Sequence, residues 1–525
     1  MEQSRRKLPL GLQSFTEIRR LGCVYVDKTD AVWNLVNNGN KYCYLSRPRR
    51  FGKSVLVDTL QAYFEGRKIL FEGLKIMQLE KRWTVRPVIR LDMSCAGATE
   101  ADIKSYLDDA FKTYESAYGM SVDAGASFAV RLKNIIMAAC RQTGQQVAVL
   151  IDEYDSPLQH SWRTPHHQAC CDVYQNVFAV LKTCDAYEQF VFITGITKFT
   201  QISLFSVLNN LCNISFNAPY AAICGITKQE LKENFEPEIA LMAKENGWSA
   251  DECIDRLQSQ YDGYHFCVDN MEGVFNPFSL INALHDSKLR NYWASSGATS
   301  LLPKFVDDME IRLKSFDHCA ILGTTIETSD VTDGGPELFL YQSGYLTIKG
   351  YTKGLYLLGI PNHEVRQALY DTVLPALAMR KRGDIQSAQA FLYLHMTNGN
   401  TTEAKMLLKA LIADVPYSNK KLASMDMEER YRLIMSTIFN AIGFRVEVEH
   451  MLATGRIDMV VETPEIVYIL ELKLSGNGGM AAAEKQMKEK HYLEPFKNIN
   501  RKVIGLAVEL DDQGKGLIDW KEIED

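Results

Sequence analysis

The chain has 525 residues, of which 46% are hydrophobic and 23% charged, a globular composition that excludes a disordered or fibrous protein. That length exceeds what one core sustains, so two to three domains are expected. With 58 Lys and Arg against 65 Asp and Glu the net charge is −7, which excludes a long-range field recruiting nucleic acid to the whole molecule.

The N-terminal stretch MEQSRRKLPLGLQSF carries charge but no apolar segment behind it, so a signal peptide is not expected. No apolar run reaches the length of a membrane span. Twelve cysteines lie scattered between Cys23 and Cys319 without a CxxC pair, which reads as reduced thiols rather than disulfides or zinc ligands. A cytoplasmic protein is expected.

In chain order, apolar runs predict strands at Tyr42–Leu45, Val88–Leu91, Val147–Ile151 and Phe190–Ile193. Helical spacing predicts helices over Lys53–Phe64, Ile103–Tyr114 and Phe128–Ala139. The alternation predicts a three-layer α/β domain with a parallel sheet over residues 1–226. Residues 227–420 read as mainly helical with a small mixed insert near Leu338–Ile348, and Asn398–Thr402 reads as a loop or linker. From 421 to 525 the expected order is a helix at Met427–Ala441 capped by Gly443, and strands at Arg445–Glu449, Ile457–Val461 and Ile466–Leu474. A helix near Ala481–Tyr492 and a strand at Lys502–Val508 follow. This αβββαβ order is the core of the restriction-endonuclease-like fold.

Two places carry chemistry. The segment Ser46-Arg47-Pro48-Arg49-Arg50-Phe51-Gly52-Lys53-Ser54 joins a strand to a helix, and a helix start presents unpaired N–H groups to an anion. Gly52 permits close backbone approach, Lys53 can reach terminal phosphates, and Ser54 can offer its hydroxyl to Mg²⁺. Arg47 stands where GxxxxGK[ST] has its first glycine, so the loop must close differently, with Arg47, Arg49 or Arg50 as sources of added charge. The strand Val147–Ile151 ends in Asp152, a candidate for the Mg²⁺ shell, and Glu153, a candidate to orient or deprotonate water; a solvated acidic strand end is the plainer reading. Thr197 or Lys198 could sense a terminal phosphate, or Thr194–Lys198 could be a simple turn.

Near the C-terminus, Asp458 lies on one predicted strand and Glu471 and Lys473 on one face of the next, with Leu472 opposite. Two carboxylates there can bind Mg²⁺ or Mn²⁺, and the lysine can position a water for attack on phosphorus. A surface salt-bridge ladder is the competing reading, and the apolar run Val467–Leu470 argues against an exposed strand. Glu429 could add a third carboxylate; Gln486 and Tyr492 could contact the site or a phosphate, or merely cap the domain; Glu449 could also approach the site, with a solvated strand residue the plainer reading. Residues 426–525 carry 13 Lys and Arg against 19 Asp and Glu, a net of −6, which is unfavourable for phosphate binding.

The ordered motifs make the chain resemble the bacterial AAA-ATPase-like proteins that carry a C-terminal PD-(D/E)XK nuclease-superfamily domain. They are Tyr25–Thr29, Arg47–Ser54, Ile151–Asp155, Thr194–Lys198, Phe205-Ser206, Leu208–Leu211 and Tyr261–Tyr264. Asn276–Ser279, Gly344–Thr347, Pro361-Asn362, Glu364-Val365, Gly455–Asp458 and Glu471–Lys473 complete the set. The resemblance implies an ATP-binding module joined to a nuclease-like module, and arginine at position 47 is part of that family's own pattern. The reading is a nucleotide-controlled, metal-dependent nuclease acting on DNA or RNA, DNA favoured, with defence against foreign DNA as a hypothesis by analogy. The alternative is a switch whose nuclease-like domain recognises a partner without cleavage. A homo-oligomer is open, and a ring-forming remodeller would need an arginine finger supplied in trans, for which Arg49 or Arg50 could serve.

Overall fold

The computed structural model describes residues 6–122, 125–197, 211–295, 316, 319–329, 334–378, 382–413, 426–497, 499 and 501–523. The chain divides into two units, one formed by Met1–Ala298 with Asp317–Asn362, the other by Thr299–Phe316 with His363–Asp525. The segment expected to be mainly helical, 227–420, is therefore shared between them.

The first unit is built on five strands: β1 (Tyr42–Ser46), β2 (Val88–Asp92), β3 (Val147–Asp152), β4 (Glu188–Gly195) and β5 (Cys212–Asn213). They lie in the order β2-β3-β4-β1-β5 and every pairing is parallel. Buried on both faces, β3 and β4 need continuous apolar sequence, which Val147–Ile151 and Phe190–Ile193 supply. The helices expected between strands appear as Lys53–Phe64, Glu100–Ala117 and Phe128–Thr143. Thr99 and Asp102 form a capping box on the second; Ser127 caps the start of the third and left-handed Gly144 its end. Because all strands run one way, the loops after β1, β2, β3 and β4 gather at a single edge, where such sheets take ligands.

The same unit continues through β6 (Ile226–Thr227), paired with β7 (Val274–Phe275), and the helices Lys228–Asn246, Ala250–Tyr261 and Pro277–Asp286. Leu231, Phe235, Met242, Leu257 and Leu280 form their core, and Leu8, Val24 and Val26 from the N-terminal segment pack against it. The mixed insert is the helix Gly335–Ser343 with an antiparallel sheet of β8 (Cys319–Leu322), β9 (Thr347–Thr352) and β10 (Leu355–Gly359), order β8-β10-β9.

In the second unit the helix Met427–Ala441, capped by Asp426, precedes β11 (Arg445–Leu452), β12 (Gly455–Glu462), β13 (Ile466–Leu474), β14 (Lys502–Leu510) and β15 (Leu517–Ile523) in one sheet in chain order. Only β13 and β14 are parallel, and the helix Gly479–Glu489 makes the crossover they require. The αβββαβ order is as expected, with β15 added at the sheet edge. Of the loop or linker expected at Asn398–Thr402, the structure has a short loop: Asn398-Gly399-Asn400 is a turn between the helices Arg382–Thr397 and Thr401–Ala413, with Gly399 at φ +76°. No described helix is long and apolar enough to cross a membrane, and none of the twelve cysteines is joined in a disulfide.

Candidate functional site

At the carboxyl edge of the first sheet, Gly52 takes φ +86°, a left-handed conformation suited to glycine, and turns the chain into the helix Lys53–Phe64 without a side-chain cap. The first N–H groups of that helix therefore keep their capacity to bind an anion. Arg49, Arg50, Gly52, Lys53 and Ser54 line a cavity of about 490 Å³, together with Glu153 from the end of β3. That volume lies within the range of small-molecule sites. Lys53 is buried, and its Nζ donates to the carbonyls of Arg47 at 2.9 Å and Pro48 at 3.1 Å, which holds the ammonium inside the loop.

Asp152 is buried at the end of β3. Its Oδ1 accepts from the Thr194 hydroxyl at 2.5 Å and from the Glu153 N–H at 3.1 Å. Its Oδ2 is buried without a hydrogen-bond partner among the described residues, a costly arrangement that a cation or its water would relieve. Burial pushes the Glu153 carboxyl above the usual carboxylate range, against the opposing pull of the Lys53 and Arg49 charges. Arg50 and Glu153 both hold left-handed backbone, φ +69° and +47°, which costs on the order of 1–3 kcal/mol each and places strain at this one cavity. Ser54, Lys53 and Asp152 thus fit a magnesium–nucleotide: a hydroxyl, an ammonium and an unsatisfied carboxylate oxygen.

Two expectations need correction. Arg47 does not line the cavity: it is 1% exposed, and its guanidinium donates to the carbonyls of Ser46, Ser215, Tyr220 and Ala221 while stacking 4.0 Å from the Phe266 ring centroid. Thr197 does not present its hydroxyl to the cavity: it is buried, donates to Asp155 Oδ2 at 2.6 Å and accepts from Gln159 Nε2 at 3.0 Å. Lys198 and the motif residues Phe205, Ser206 and Leu208–Asn210 lie outside the described residues. The cavity also has an apolar lining, to which Val24, Val26, Ile223, Ile226, Phe278 and Ile281 contribute. Sequence reasoning missed this lining because its residues come from three distant segments, each of which reads as ordinary core.

In the second unit, β12 and β13 are antiparallel. The pair Met459–Leu470 sets Asp458 opposite Glu471 one position on. Both carboxylates are buried, at 4% and 1% exposure, where two unscreened negative charges repel strongly. The backbone N–H of Leu472 donates to Asp458 Oδ2 at 2.8 Å, and Lys473 Nζ donates to Glu471 Oε1 at 2.7 Å. Glu471 Oε2 is buried without a partner among the described residues. Burial, then the adjacent Asp458 charge, raise the Glu471 carboxyl; burial opposes the charge on Lys473, but the surrounding carboxylates outweigh it and keep the ammonium protonated. Two opposed acids with an unsatisfied oxygen fit a hard divalent cation. Among the described residues no group of three or more His, Cys, Asp and Glu side chains is gathered as a metal centre.

Glu428, beside Glu429 on the same helix, also bears on this site, coupled electrostatically to Asp458 and Lys473. Burial and the Asp458 charge raise its carboxyl. Glu428, Tyr431, Arg432 and Met435 share one stripe, a spacing that could have identified both Glu428 and the buried Arg432. Arg432 donates to Glu449 at 2.5 Å and lies 3.8 Å from both Asp458 Oδ1 and Glu428 Oε1. Glu449, on β11 with φ +58°, is tied to the site through Arg432, the first of its two readings. Tyr492 is buried and donates to the Arg456 carbonyl at 2.8 Å, with Gln486 donating to its hydroxyl, so this pair braces the start of β12.

Comparison with known proteins places these observations. Residues 9–205 match the AAA-ATPase-like family, described as "Predicted AAA-ATPase", and residues 426–520 match the PD-(D/E)XK nuclease superfamily. A protein of Azotobacter chroococcum mcd 1, described as "Uncharacterized protein in vnfD 5'region", is 30% identical over 535 residues, covering 98% of both chains. Among solved structures, Cdc6p from Pyrobaculum aerophilum aligns at 11% identity and TM-score 0.26, covering 66% of this chain and 92% of that one. The ORC2 protein of Aeropyrum pernix aligns at 12% identity and TM-score 0.27, covering 71% and 95%. Superpositions this loose carry no conclusion about fold or function. The 30% identity along nearly the whole length does: this chain belongs to the family of the Azotobacter protein, with an AAA-ATPase-like domain followed by a PD-(D/E)XK nuclease-superfamily domain.

Proposed function

We propose that the protein is a metal-dependent nuclease whose activity is set by ATP held in the first unit. The observation that carries the proposal is the pair of buried, opposed carboxylates Asp458 and Glu471 with the Lys473 ammonium bonded to Glu471. Asp458 and Glu471 would hold a Mg²⁺ or Mn²⁺ ion, with Glu428 near enough to bear on its charge. When bound, the ion supplies Lewis-acid stabilisation of charge gathering on a phosphoryl group. Lys473, held charged by its neighbours, orients the attacking water and stabilises the oxygens of the phosphate under attack. The Leu472 N–H fixes Asp458 so that its carboxylate cannot rotate away. The substrate is a nucleic acid, DNA before RNA, and the net of −6 over residues 426–525 means that neutralisation of its phosphates falls to the ion, Lys473 and surfaces outside this domain.

In the first unit, Gly52, Lys53 and Ser54 take the phosphates, Asp152 the magnesium shell, and Glu153 the water. The apolar wall of Val24, Val26 and Phe278 suits a purine base. Whether ATP is turned over or only held, its presence would bias the first unit, and cleavage would respond.

The test is cleavage of DNA and RNA with Mg²⁺ or Mn²⁺, with and without ATP, by the full chain. Lys473→Ala is expected to reduce cleavage at least about a hundredfold while ATP binding is retained. Lys53→Ala is expected to abolish ATP binding and the ATP response. Cleavage that survives Lys473→Ala removes the assigned site. A C-terminal domain that binds no Mn²⁺ in calorimetry supports the alternative of a partner-recognition module.

A further inference from the structure

Gln159 is a buried side chain, 2% exposed, in the short helix Ser156–Ser161 that follows β3. Both ends of its amide are engaged. Nε2 donates to Asp155 Oδ2 and, at 3.0 Å, to the Thr197 hydroxyl, while Oε1 accepts from the Arg49 guanidinium at 3.4 Å. Asp155 is itself fixed by the N–H groups of Ile196 and Thr197, at 3.1 and 2.6 Å. Gly195 allows this approach, since a Cβ there would lie 2.7 Å from Asp155 Oδ1. The hydroxyls of Tyr44 and Tyr154 hold the Thr197 carbonyl. The turn after β4 is thus tied through Asp155 and Gln159 to one side chain of the phosphate loop, Arg49. Arg49 lines the cavity with Lys53 and Glu153, and its charge acts on Glu153.

We infer that the turn Thr194–Thr197 senses a nucleotide's terminal phosphate indirectly, with Gln159 as a positioning residue that presents Arg49 to it. The inference rests on the proposed ATP site and goes beyond it by assigning the discrimination between tri- and diphosphate to one relay. A planar amide suits the task, because it can accept from a guanidinium at one end while donating to a carboxylate and a hydroxyl at the other. Leucine fills the same space without either function. Glutamate keeps the acceptor for Arg49, loses the donor and sets a charge against Asp155.

The experiment measures ATP and ADP affinities of the full chain with Mg²⁺, using fluorescent analogues, for wild type, Arg49→Ala, Gln159→Leu, Gln159→Glu and the double variant Arg49→Ala/Gln159→Leu. Wild type is expected to prefer ATP, and Arg49→Ala to lose about tenfold in ATP affinity, the size of one charge-assisted hydrogen bond. Either Gln159 variant should lose most of the preference while retaining ADP affinity, and the double variant should lose no more than Arg49→Ala alone. Additive losses overturn the relay. So does an unchanged preference in Gln159→Leu, and so does loss of ADP binding in both Gln159 variants, which would make Gln159 a packing residue. Wild type binding neither nucleotide sinks the ATP site itself, a result distinct from the other three.

Discussion

Glu188 begins β4 at the end of the sheet opposite the phosphate loop, wholly buried. The Tyr42 hydroxyl donates to its Oε2 at 2.7 Å, and its Oε1 has no partner among the described residues. Burial pushes its carboxyl up to about 7. A folded value above the unfolded one means that the fold favours the protonated acid. The contribution is complete below the unfolded value and is lost as pH rises through about 7. Denaturant melts should therefore show stability falling by on the order of 3 kcal/mol between pH 4.5 and 8, and Glu188→Gln should remove most of that slope. An equal slope in the variant would place the dependence elsewhere. Three of the residues with left-handed backbone, Arg50, Glu153 and Glu449, fall at the two candidate sites, a signal of strain that no sequence pattern carries.

The phosphate loop is braced by aromatic rings from outside the sheet. Phe51 meets Tyr264 and Phe266 with ring centroids at 4.7 and 5.5 Å, and the Tyr264 hydroxyl donates to the Gly344 carbonyl at 3.0 Å. Gly344, at φ +90°, lies so close to the loop that a Cβ would sit 2.6 Å from the Pro48 Cβ. Gly344→Ala should destabilise the protein by roughly 1–3 kcal/mol and weaken nucleotide binding, both readable from thermal shifts with and without ATP. Normal ATP affinity in that variant would detach the brace from the loop's function. The strands of the first sheet were legible because central parallel strands leave long apolar runs, and the hairpin of Asp458 and Glu471 because two acids interrupt apolar β sequence. β15, LIDWKEI, escaped because an edge strand buries only Leu517, Trp520 and Ile523. Glu428 escaped because only its spacing to Arg432 marks it, since Arg430–Ala441 is buried all round and offers no clear polar face. Arg47 and Gln159 were not legible because their partners lie far away in sequence.

Each of the two units has its own sheet and apolar interior. Calorimetry should resolve two unfolding steps, one raised by ATP and the other by Mn²⁺. Each ligand at a hundredfold its Kd adds about 2.7 kcal/mol to the unit that binds it. Lys53→Ala should cancel only the first shift and Asp458→Asn only the second; one ligand moving both steps in every variant would mean that the units do not unfold separately. The excess of acid over base, −7 overall, means that added salt should weaken substrate binding less steeply than in a basic nuclease. The seat of Arg47 bears on how such a molecule could be altered. Replacing it with glycine would make the loop spell the familiar phosphate-binding pattern, yet it would take the guanidinium donors away from four carbonyl oxygens and the cation away from the face of Phe266. The more orthodox spelling would belong to the weaker protein.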